Sequence, residues 1–182
     1  MIKKILLGAV VVIVLVIAIG CVVIAVQPNH YHVERSATMN APPLIVFNQV
    51  NDFHKWDAWS PWAKLDPNIK TSFEGAPAGN GAVYSWTGNS DVGEGRMTIT
   101  DSKPGESVRI KLEFIKPFAA TSATVFAFKP QGNQTAVTWT MDGENNFVGK
   151  AFGLIMNMDK TIGADFEKGL AQMKAVAEKS AQ

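Results

Sequence analysis

Residues Phe147–Ala177 read FVGKAFGLIMNMDKTIGADFEKGLAQMKAVA, and this stretch decides how the rest of the chain folds. Its apolar residues recur at steps of three and four, a spacing that places side chains on one face of an α-helix. They are Phe147, Ala151, Leu154, Ile155, Met158, Ile162, Phe166, Leu170, Met173 and Ala177. We therefore predict one amphipathic helix of about 45 Å. A helix of that length needs a broad apolar surface on which to lie.

Four glycines interrupt the predicted helix: Gly149, Gly153, Gly163 and Gly169. Each costs about 1 kcal/mol relative to alanine at an interior helical position. Two interpretations are open. Either the helix bends or packs loosely at these positions, or another part of the chain approaches its backbone closely.

The apolar surface is predicted to be an antiparallel β-sheet built from residues 31–141. Strand Ser107–Phe114 is the clearest, because apolar and charged residues alternate along it, a pattern with one buried and one exposed face. The other predicted strands are Tyr31–Met39, Val83–Thr87, Arg96–Thr100, Thr121–Phe128 and Thr135–Met141. By the same alternation the inward residues are Met97, Ile99, Val108, Ile110, Leu112, Phe114, Phe126, Phe128, Val137, Trp139 and Met141. The sequence thus predicts an α+β fold in which a curled antiparallel sheet surrounds the C-terminal helix.

A short helix and an aromatic segment separate the first strand from the others. Pro42 and Pro43 open the helix, since proline is tolerated in a first turn, and Leu44, Val46, Phe47 and Val50 form its apolar side. In the segment Phe53–Pro67, tryptophan recurs at every third position as Trp56, Trp59 and Trp62. These residues form either a structural plug at one end of the core or a pocket wall with an indole N–H available.

The N-terminal segment is typical of a membrane-spanning helix. Residues Ile5–Val26 contain no charged or strongly polar side chain, and a helix of that length covers about 33 Å, enough for a hydrocarbon core of about 30 Å. Because the apolar part of a signal peptide is shorter, about 7–15 residues, we interpret residues 1–26 as an uncleaved transmembrane anchor. Residues 27–30 are then a linker, 31–178 the folded domain and 179–182 a tail.

Cys21 is the only cysteine, which leaves no intrachain disulfide. The sequence Ala18–Cys21 faintly resembles a lipoprotein cleavage site. However, alanine stands where leucine is usual, and the residues after Cys21 are apolar. A buried cysteine in a spanning helix therefore fits better, with lipidation as the alternative.

Charge and motif content exclude several classes of function. Without Lys3 and Lys4, the 17 Lys+Arg fall to 15 against 16 Asp+Glu. A near-neutral domain without basic clusters is a poor candidate for binding nucleic acid. His30 and His32 share a strand face, but such residues are more often solvated than metal ligands. We therefore expect no metal and no cofactor.

Catalytic signatures are absent from the sequence as well. It contains no serine elbow, paired zinc motif or phosphate-binding glycine loop. Glu94 and Arg96 are the one candidate acid–base arrangement, and as charges on a hairpin they are more commonly surface residues. We therefore assign no catalytic residue.

The order of elements and several short motifs resemble a known superfamily. The motifs are Ala41–Pro43 with Val46, Phe47 and Val50; Trp56–Trp62; Gly81–Tyr84 with Trp86; Gly93–Met97; and Glu167–Leu170. Over roughly Tyr31–Glu178 they resemble the START-like (SRPBCC) helix-grip superfamily, in particular its polyketide cyclase/dehydrase-like branch. The resemblance implies a deep cavity between sheet and helix, which relatives use for lipids, sterols, polyketides and other apolar molecules. Relatives include carriers, sensors and a few cyclases, so the fold does not determine the function.

The predicted inward positions supply candidate residues for such a cavity. Its walls would be Trp86, Met97, Phe126, Trp139, Met158 and Ile162, and either Trp59 or Trp62 would close its mouth. Methionine and aromatic side chains form an adaptable apolar surface. The position of Trp86 is open, because Val83 and Ser85 compete with it for the inner face of their strand.

The leading functional hypothesis is a membrane-anchored domain that binds a small hydrophobic ligand, lipid- or polyketide-like. One alternative is a cyclase- or dehydratase-type enzyme, which Glu94, Arg96 and His54 pointing together into a cavity would favour. The other is a bacterial envelope interaction domain with a filled core, which the lack of a cavity would favour. The sequence names no protein partner.

Lys3 and Lys4 precede the predicted span, and the first basic residue after it is Arg35. The positive-inside tendency therefore predicts a single-pass protein of the inner cell membrane, with a cytoplasmic N-terminus and an exterior, periplasmic domain. A reporter that is active only outside the cytoplasm should be active when fused after Gln182, and protease added to spheroplasts should remove the domain. Protection until the membrane is permeabilised would reverse this orientation.

Overall fold

The computed structural model describes residues 2–155 and 157–182. Seven antiparallel strands form one sheet in the order β1-β7-β6-β5-β4-β3-β2. The strands are β1 His30–Met39, β2 Lys70–Gly75, β3 Ala82–Thr87, β4 Glu94–Lys103, β5 Ser107–Lys116, β6 Ala120–Gln131 and β7 Gln134–Glu144. The helices are α1 Ile2–Ala25, α2 Pro43–Asn51, α3 Phe147–Ile155 and α4 Met158–Ser180, with a 3-10 helix at Phe53–Ala58. The predicted α+β helix-grip fold, a curled sheet against a long C-terminal helix, is confirmed.

The prediction of one continuous helix from Phe147 to Ala177 was wrong. Asn157 has an extended backbone (φ −76°, ψ 101°), and its side chain accepts a hydrogen bond from the Lys160 amide at 2.9 Å. Asn157 is therefore the N-cap of α4 and separates it from α3. Met156 lies outside the described residues, as does the side chain of Lys4.

Helices α3 and α4 differ completely in burial. On α4 the predicted apolar face packs into the core through Phe166, Leu170, Met173 and Ala177, all buried. On α3 no residue is buried, and Ile155 is 86% exposed. The three- and four-residue spacing of apolar residues continues from α3 into α4. The spacing alone therefore did not predict that only α4 covers the sheet.

Arg35 on β1 ties the start of α4 to the sheet. Its guanidinium donates to the Asp159 carboxylate at 2.9 Å and to the Glu167 carboxylate at 2.8 Å. The hydrogen bond from Arg35 lowers the pKa of Asp159 below its ordinary value. The Arg35–Asp159 ion pair therefore stabilises the fold at pH values above the ordinary pKa of an aspartate. This stabilisation is lost as the pH falls through the lowered pKa of Asp159.

Two of the four helix glycines allow a close approach to the backbone. A Cβ atom on Gly163 would lie 1.9 Å from Nη2 of Arg35, and one on Gly169 would lie 2.9 Å from Cζ3 of Trp139. A Cβ atom on Gly153, by contrast, would meet no atom within 4 Å. The close-approach interpretation therefore applies to α4, whose glycines let it lie against the guanidinium and an indole.

The strand alternation predicted the inner face of the sheet correctly. Met97, Ile99, Val108, Ile110, Phe126, Phe128, Val137, Trp139 and Met141 are buried, and Leu112 and Phe114 are half-buried. Leu44 was wrongly placed on the buried side of α2, because it is exposed and lies beside the turn at Gly105. The sequence pattern also did not delimit β2, an edge strand exposed along its whole length.

The register of the strands defines two ends of the sheet. Since β1 starts opposite the end of β7 (His30 with Glu144), and β5 ends opposite the start of β6 (Phe114 with Ala120), these termini share one end. Helix α1, which is apolar and long enough to cross a membrane as an anchor or signal sequence would be, joins this end through residues 26–29. We call it the anchor end. The distal end contains the turns at Gly105 and Gly132.

Replacing Gly163 by alanine should destabilise the domain, because the new methyl group must displace the Arg35 guanidinium. Overpacking of this kind costs roughly 1–3 kcal/mol of unfolding free energy. Gly153→Ala is the matched control, and should leave the unfolding free energy unchanged or raise it by up to about 1 kcal/mol. Denaturant titration followed by tryptophan emission measures both variants, and equal stabilities would contradict the close contact.

Candidate ligand-binding cavity

A cavity of about 250 Å³ lies between the concave face of the sheet, the first two turns of α4 and the segment 56–69. Its apolar wall comprises Trp56, Trp62, Ala63, Ile69, Trp86, Val92, Met97, Leu112, Phe114, Trp139, Met141, Ile162 and Phe166. Polar groups enter from Asp57, Ser60, Tyr84, Asp91, Thr124 and Asp165. The cavity is thus predominantly apolar with a few polar groups, the usual composition of a small-molecule site.

The structure brings together five of the eight residues predicted to contact a ligand. Trp62, Trp86, Met97, Trp139 and Ile162 all line the cavity. Their role as ligand contacts stays a prediction, but their positions meet its geometric requirement.

The other three predicted residues lie away from the cavity walls. Trp59 and Phe126 are fully buried in the core, and the Trp59 indole donates to the Gln49 carbonyl at 3.0 Å. Trp59 therefore acts as a structural plug. Met158 is the first residue of α4 and lies with the linker residues Gln27 and Pro28, one helical turn before Ile162, where the cavity lining on α4 begins.

Trp86 occupies the inner face of β3, which resolves the ambiguity in that strand. Its ring lies across Gly95 on β4, where a Cβ atom would be 2.3 Å from Cζ2 of the indole. Its N–H donates to the Val92 carbonyl at 2.9 Å. Trp86 thus holds the β3–β4 turn over the cavity. Its ring can lie against β4 only because Gly95 has no side chain.

The indole of Trp62 is the one with a free donor among the described residues. The N–H groups of Trp56, Trp59, Trp86 and Trp139 each donate to a protein oxygen. Trp62 is half-buried, and its ring stands perpendicular to that of Trp139 at a centroid distance of 5.9 Å. Its N–H therefore has no protein acceptor in the described part of the chain.

The charged groups of the cavity are all acidic. Asp57, Asp91 and Asp165 belong to its lining, whereas no lysine, arginine or histidine is found there among the described residues. Asp57 and Asp91 are exposed and Asp165 is half-buried, so the charge is concentrated towards solvent. This acidic rim favours a neutral or cationic group over a carboxylate.

Tyr84 contributes a neutral hydroxyl to the cavity. Burial raises the pKa of its phenol to about 12, and the negative charge of Asp57 adds to this shift. Both effects disfavour the phenolate. At physiological pH the Tyr84 hydroxyl is therefore protonated and able to donate a hydrogen bond.

The acid–base arrangement considered from the sequence is not formed, because its three residues lie apart with separate partners. Glu94 pairs with Lys116 at 2.7 Å. Arg96 pairs with Glu74 at 3.5 Å. His54 accompanies Asp52 at 2.9 Å and stacks on Phe73. None of the three belongs to the described cavity lining.

His32 is occupied by a carboxylate neighbour. Its Nδ1 lies 2.6 Å from Asp142, and that hydrogen bond raises the pKa of the imidazole. Within residues 2–155 and 157–182, no three His, Cys, Asp or Glu side chains are grouped as metal ligands would be.

The family described as "Polyketide cyclase / dehydrase and lipid transport" matches residues 30–178 of the sequence. The chain belongs to this family. The resemblance to the polyketide cyclase/dehydrase-like branch of the SRPBCC superfamily is thereby confirmed, and membership suggests a small hydrophobic ligand. A comparison with curated proteins finds no match.

Solved structures share the fold at low sequence identity. Protein CV1439 from Chromobacterium violaceum aligns with a TM-score of 0.57 and 16% identity, covering 83% of this chain and 99% of its own. The di-domain ARO/CYC StfQ from the steffimycin biosynthetic pathway aligns with a TM-score of 0.60 and 12% identity, over 84% of this chain and 52% of StfQ. Ara h 8.0201 aligns with a TM-score of 0.54 and 12% identity, over 84% of this chain and 97% of its own. At these identities the likeness concerns the fold alone.

The sequence analysis missed several residues of the cavity. Tyr84 has the same strand parity as Trp86, and Phe166 follows Ile162 by one helical turn, so both could have been found from the pattern. Two aspartates of the rim, Asp57 and Asp91, carry no such pattern. Asp57 lies in the 3-10 helix and Asp91 in the turn between β3 and β4, and only the tertiary fold brings them to one opening.

Tyr84 should titrate late in alkaline solution. Tyr31 and Tyr84 are the only tyrosines, so tyrosinate absorbance of the chain and of Tyr84→Phe isolates the Tyr84 step, expected at pH about 12. Asp57→Asn should lower this midpoint without restoring the ordinary value of about 10, because burial remains. A midpoint near 10 in the folded chain, with folding checked by circular dichroism, would contradict the buried position.

Proposed function

We propose that this protein is a membrane-anchored binding domain for a small hydrophobic molecule, lipid- or polyketide-like, held between the sheet and α4. The observation that carries the proposal is the aromatic and methionine-lined cavity of about 250 Å³. An open apolar cavity next to a tightly packed core favours a binding role over a purely structural one. Family membership supports the same class of ligand.

The size of the cavity limits the ligand. Its volume lies just below the range of about 300–1,000 Å³ that is typical of ligand pockets. A single acyl chain or a small ring system fits such a space, whereas a complete phospholipid with two chains does not. The ligand in this proposal is therefore a single-chain or compact apolar molecule.

The polar groups limit the chemistry of the ligand's polar end. The rim aspartates Asp57, Asp91 and Asp165 repel a carboxylate, while the Trp62 N–H and the neutral Tyr84 hydroxyl offer donors to an uncharged oxygen. An alcohol, ketone or amine is therefore favoured over a free fatty acid. A catalytic role is not proposed, since Glu94, Arg96 and His54 lie elsewhere.

The anchoring part of the proposal depends on α1. Its segment Leu6–Ala25 has a mean hydropathy of 3.4, and none of the window is buried against the domain. Lys3 and Lys4 on its N-terminal side support a cytoplasmic N-terminus and an exterior domain in the inner membrane. The domain then samples molecules that leave or enter the bilayer surface.

Filling the cavity tests the proposal. Ala63 lines the cavity, and Ala58 is exposed in the same segment outside it. For the full chain in lipid nanodiscs, lauryl alcohol should quench tryptophan emission. Ala63→Phe should weaken this binding by about tenfold, or 1.4 kcal/mol, whereas the control Ala58→Phe should leave it unchanged. Equal binding by both variants, or no change in emission or melting temperature with any ligand, would refute the cavity as the site.

The same titration distinguishes the polar ends of the ligand. Laurylamine should bind about fivefold more tightly than laurate, corresponding to about 1 kcal/mol of charge interaction at a solvated rim. Replacing Asp57 and Asp165 together by asparagine should reduce the difference in affinity between laurylamine and laurate. A preference for laurate in the unmodified chain would show that the acidic rim does not face the bound ligand.

A further inference from the structure

The anchor end of the domain exposes an apolar surface that the binding cavity does not explain. It consists of seven exposed residues: Phe147, Val148, Phe152, Leu154 and Ile155 on α3, Ile115 near the end of β5, and Phe118 in the turn between β5 and β6. The two parts touch, because the rings of Phe118 and Phe152 lie 5.7 Å apart. We call these seven residues the anchor-end apolar surface. A continuous surface of this kind marks an interaction site.

The anchor-end apolar surface lies directly beside the end of α1. Lys150 on α3 donates from Nζ to the Ala25 carbonyl at 3.0 Å, and so satisfies one of the unpaired carbonyls at the C-terminus of α1. The Asn145 amide donates to the Asn29 carbonyl at 2.6 Å. Its side chain donates to the Pro28 carbonyl at 3.4 Å. The linker is thereby fixed to Asn145, two residues before α3.

The length of the linker keeps this end of the domain close to the bilayer. Helix α1 ends at Ala25 and β1 begins at His30. Even a fully extended chain spans at most about 18 Å over these five steps. Where α1 crosses a membrane, the anchor end therefore remains at the headgroup level of that membrane.

We propose that the anchor-end apolar surface inserts into the same leaflet from which α1 emerges. This inference rests on the proposed anchoring by α1. The sequence of α3 contains one charged residue, Lys150, whose long side chain donates to the Ala25 carbonyl and can keep its ammonium group at the headgroup level while the apolar side chains insert. Short apolar helices with aromatic residues and a lysine bind at this depth of a bilayer.

The inserted surface places the cavity next to lipid. The cavity residues Trp86, Phe114 and Met141 lie close to the strand ends that meet at the anchor end. Ile162 and Asp165 lie near the start of α4, which runs from this end towards its distal contact between Glu178 and Asn40. An apolar molecule therefore has a short path from the leaflet to the cavity.

Depth-dependent quenching in reconstituted full-length protein tests the insertion. In a Cys21→Ser background, an environment-sensitive fluorophore is attached to Ile155→Cys or Phe118→Cys. Leu44→Cys is the matched control, because Leu44 is an exposed apolar residue (57%) at the distal end. The vesicles contain phosphatidylethanolamine and phosphatidylglycerol, with or without spin-labelled phosphatidylcholine. The labels at 155 and 118 should lose emission with the spin-labelled lipid, and the label at 44 should not.

A label on the native Cys21 separates this inference from the anchoring on which it rests. Quenching at Cys21 without quenching at 155 and 118 would overturn the insertion and leave the anchoring intact. No quenching at Cys21 would refute the anchoring and the insertion together. A blue-shifted but unquenched label at 155 would show that protein, such as a second copy of the chain, covers the surface, which also overturns insertion into lipid.

Discussion

The packing of α4 on the inner face of the sheet is the contact on which the rest of the structure depends. At its centre the rings of Phe166 and Trp139 are stacked at 3.9 Å with an interplanar angle of 8°. Gly169 permits this approach, since it has no side chain between the helix and the indole. The same two rings form part of the cavity wall, so the contact that closes the core also shapes the site.

Periodicity was sufficient to predict most of this arrangement. Alternation along β5 and β7 identifies the buried strand residues because neighbouring strands share one face, and the spacing of Phe166, Leu170 and Met173 identifies the face of α4. The break at Asn157 was missed because the apolar spacing passes through it without a change of phase. Its cap is formed by one side-chain oxygen, a signal much weaker than the pattern around it.

The tryptophans of the segment 56–69 show where sequence reasoning fails. Trp59 and Trp62 have the same chemistry and the same spacing, yet Trp59 is fully buried with its N–H bonded, whereas Trp62 faces the cavity. Outside regular structure, spacing does not determine direction, and only packing against α2 and α4 separates the two. The acidic rim is likewise a product of tertiary packing, because its aspartates are distant in sequence.

The four-residue linker limits how the proposed binding domain could move a ligand. A freely diffusing lipid carrier collects its cargo at one membrane and releases it at another. Where α1 spans a membrane, as we propose, a domain whose sheet begins within about 18 Å of the end of α1 cannot make that journey. In the proposed arrangement, its exchange of ligand would be confined to a single bilayer surface, where it would act as a stationary receiver. Any onward transfer requires an acceptor that comes to it.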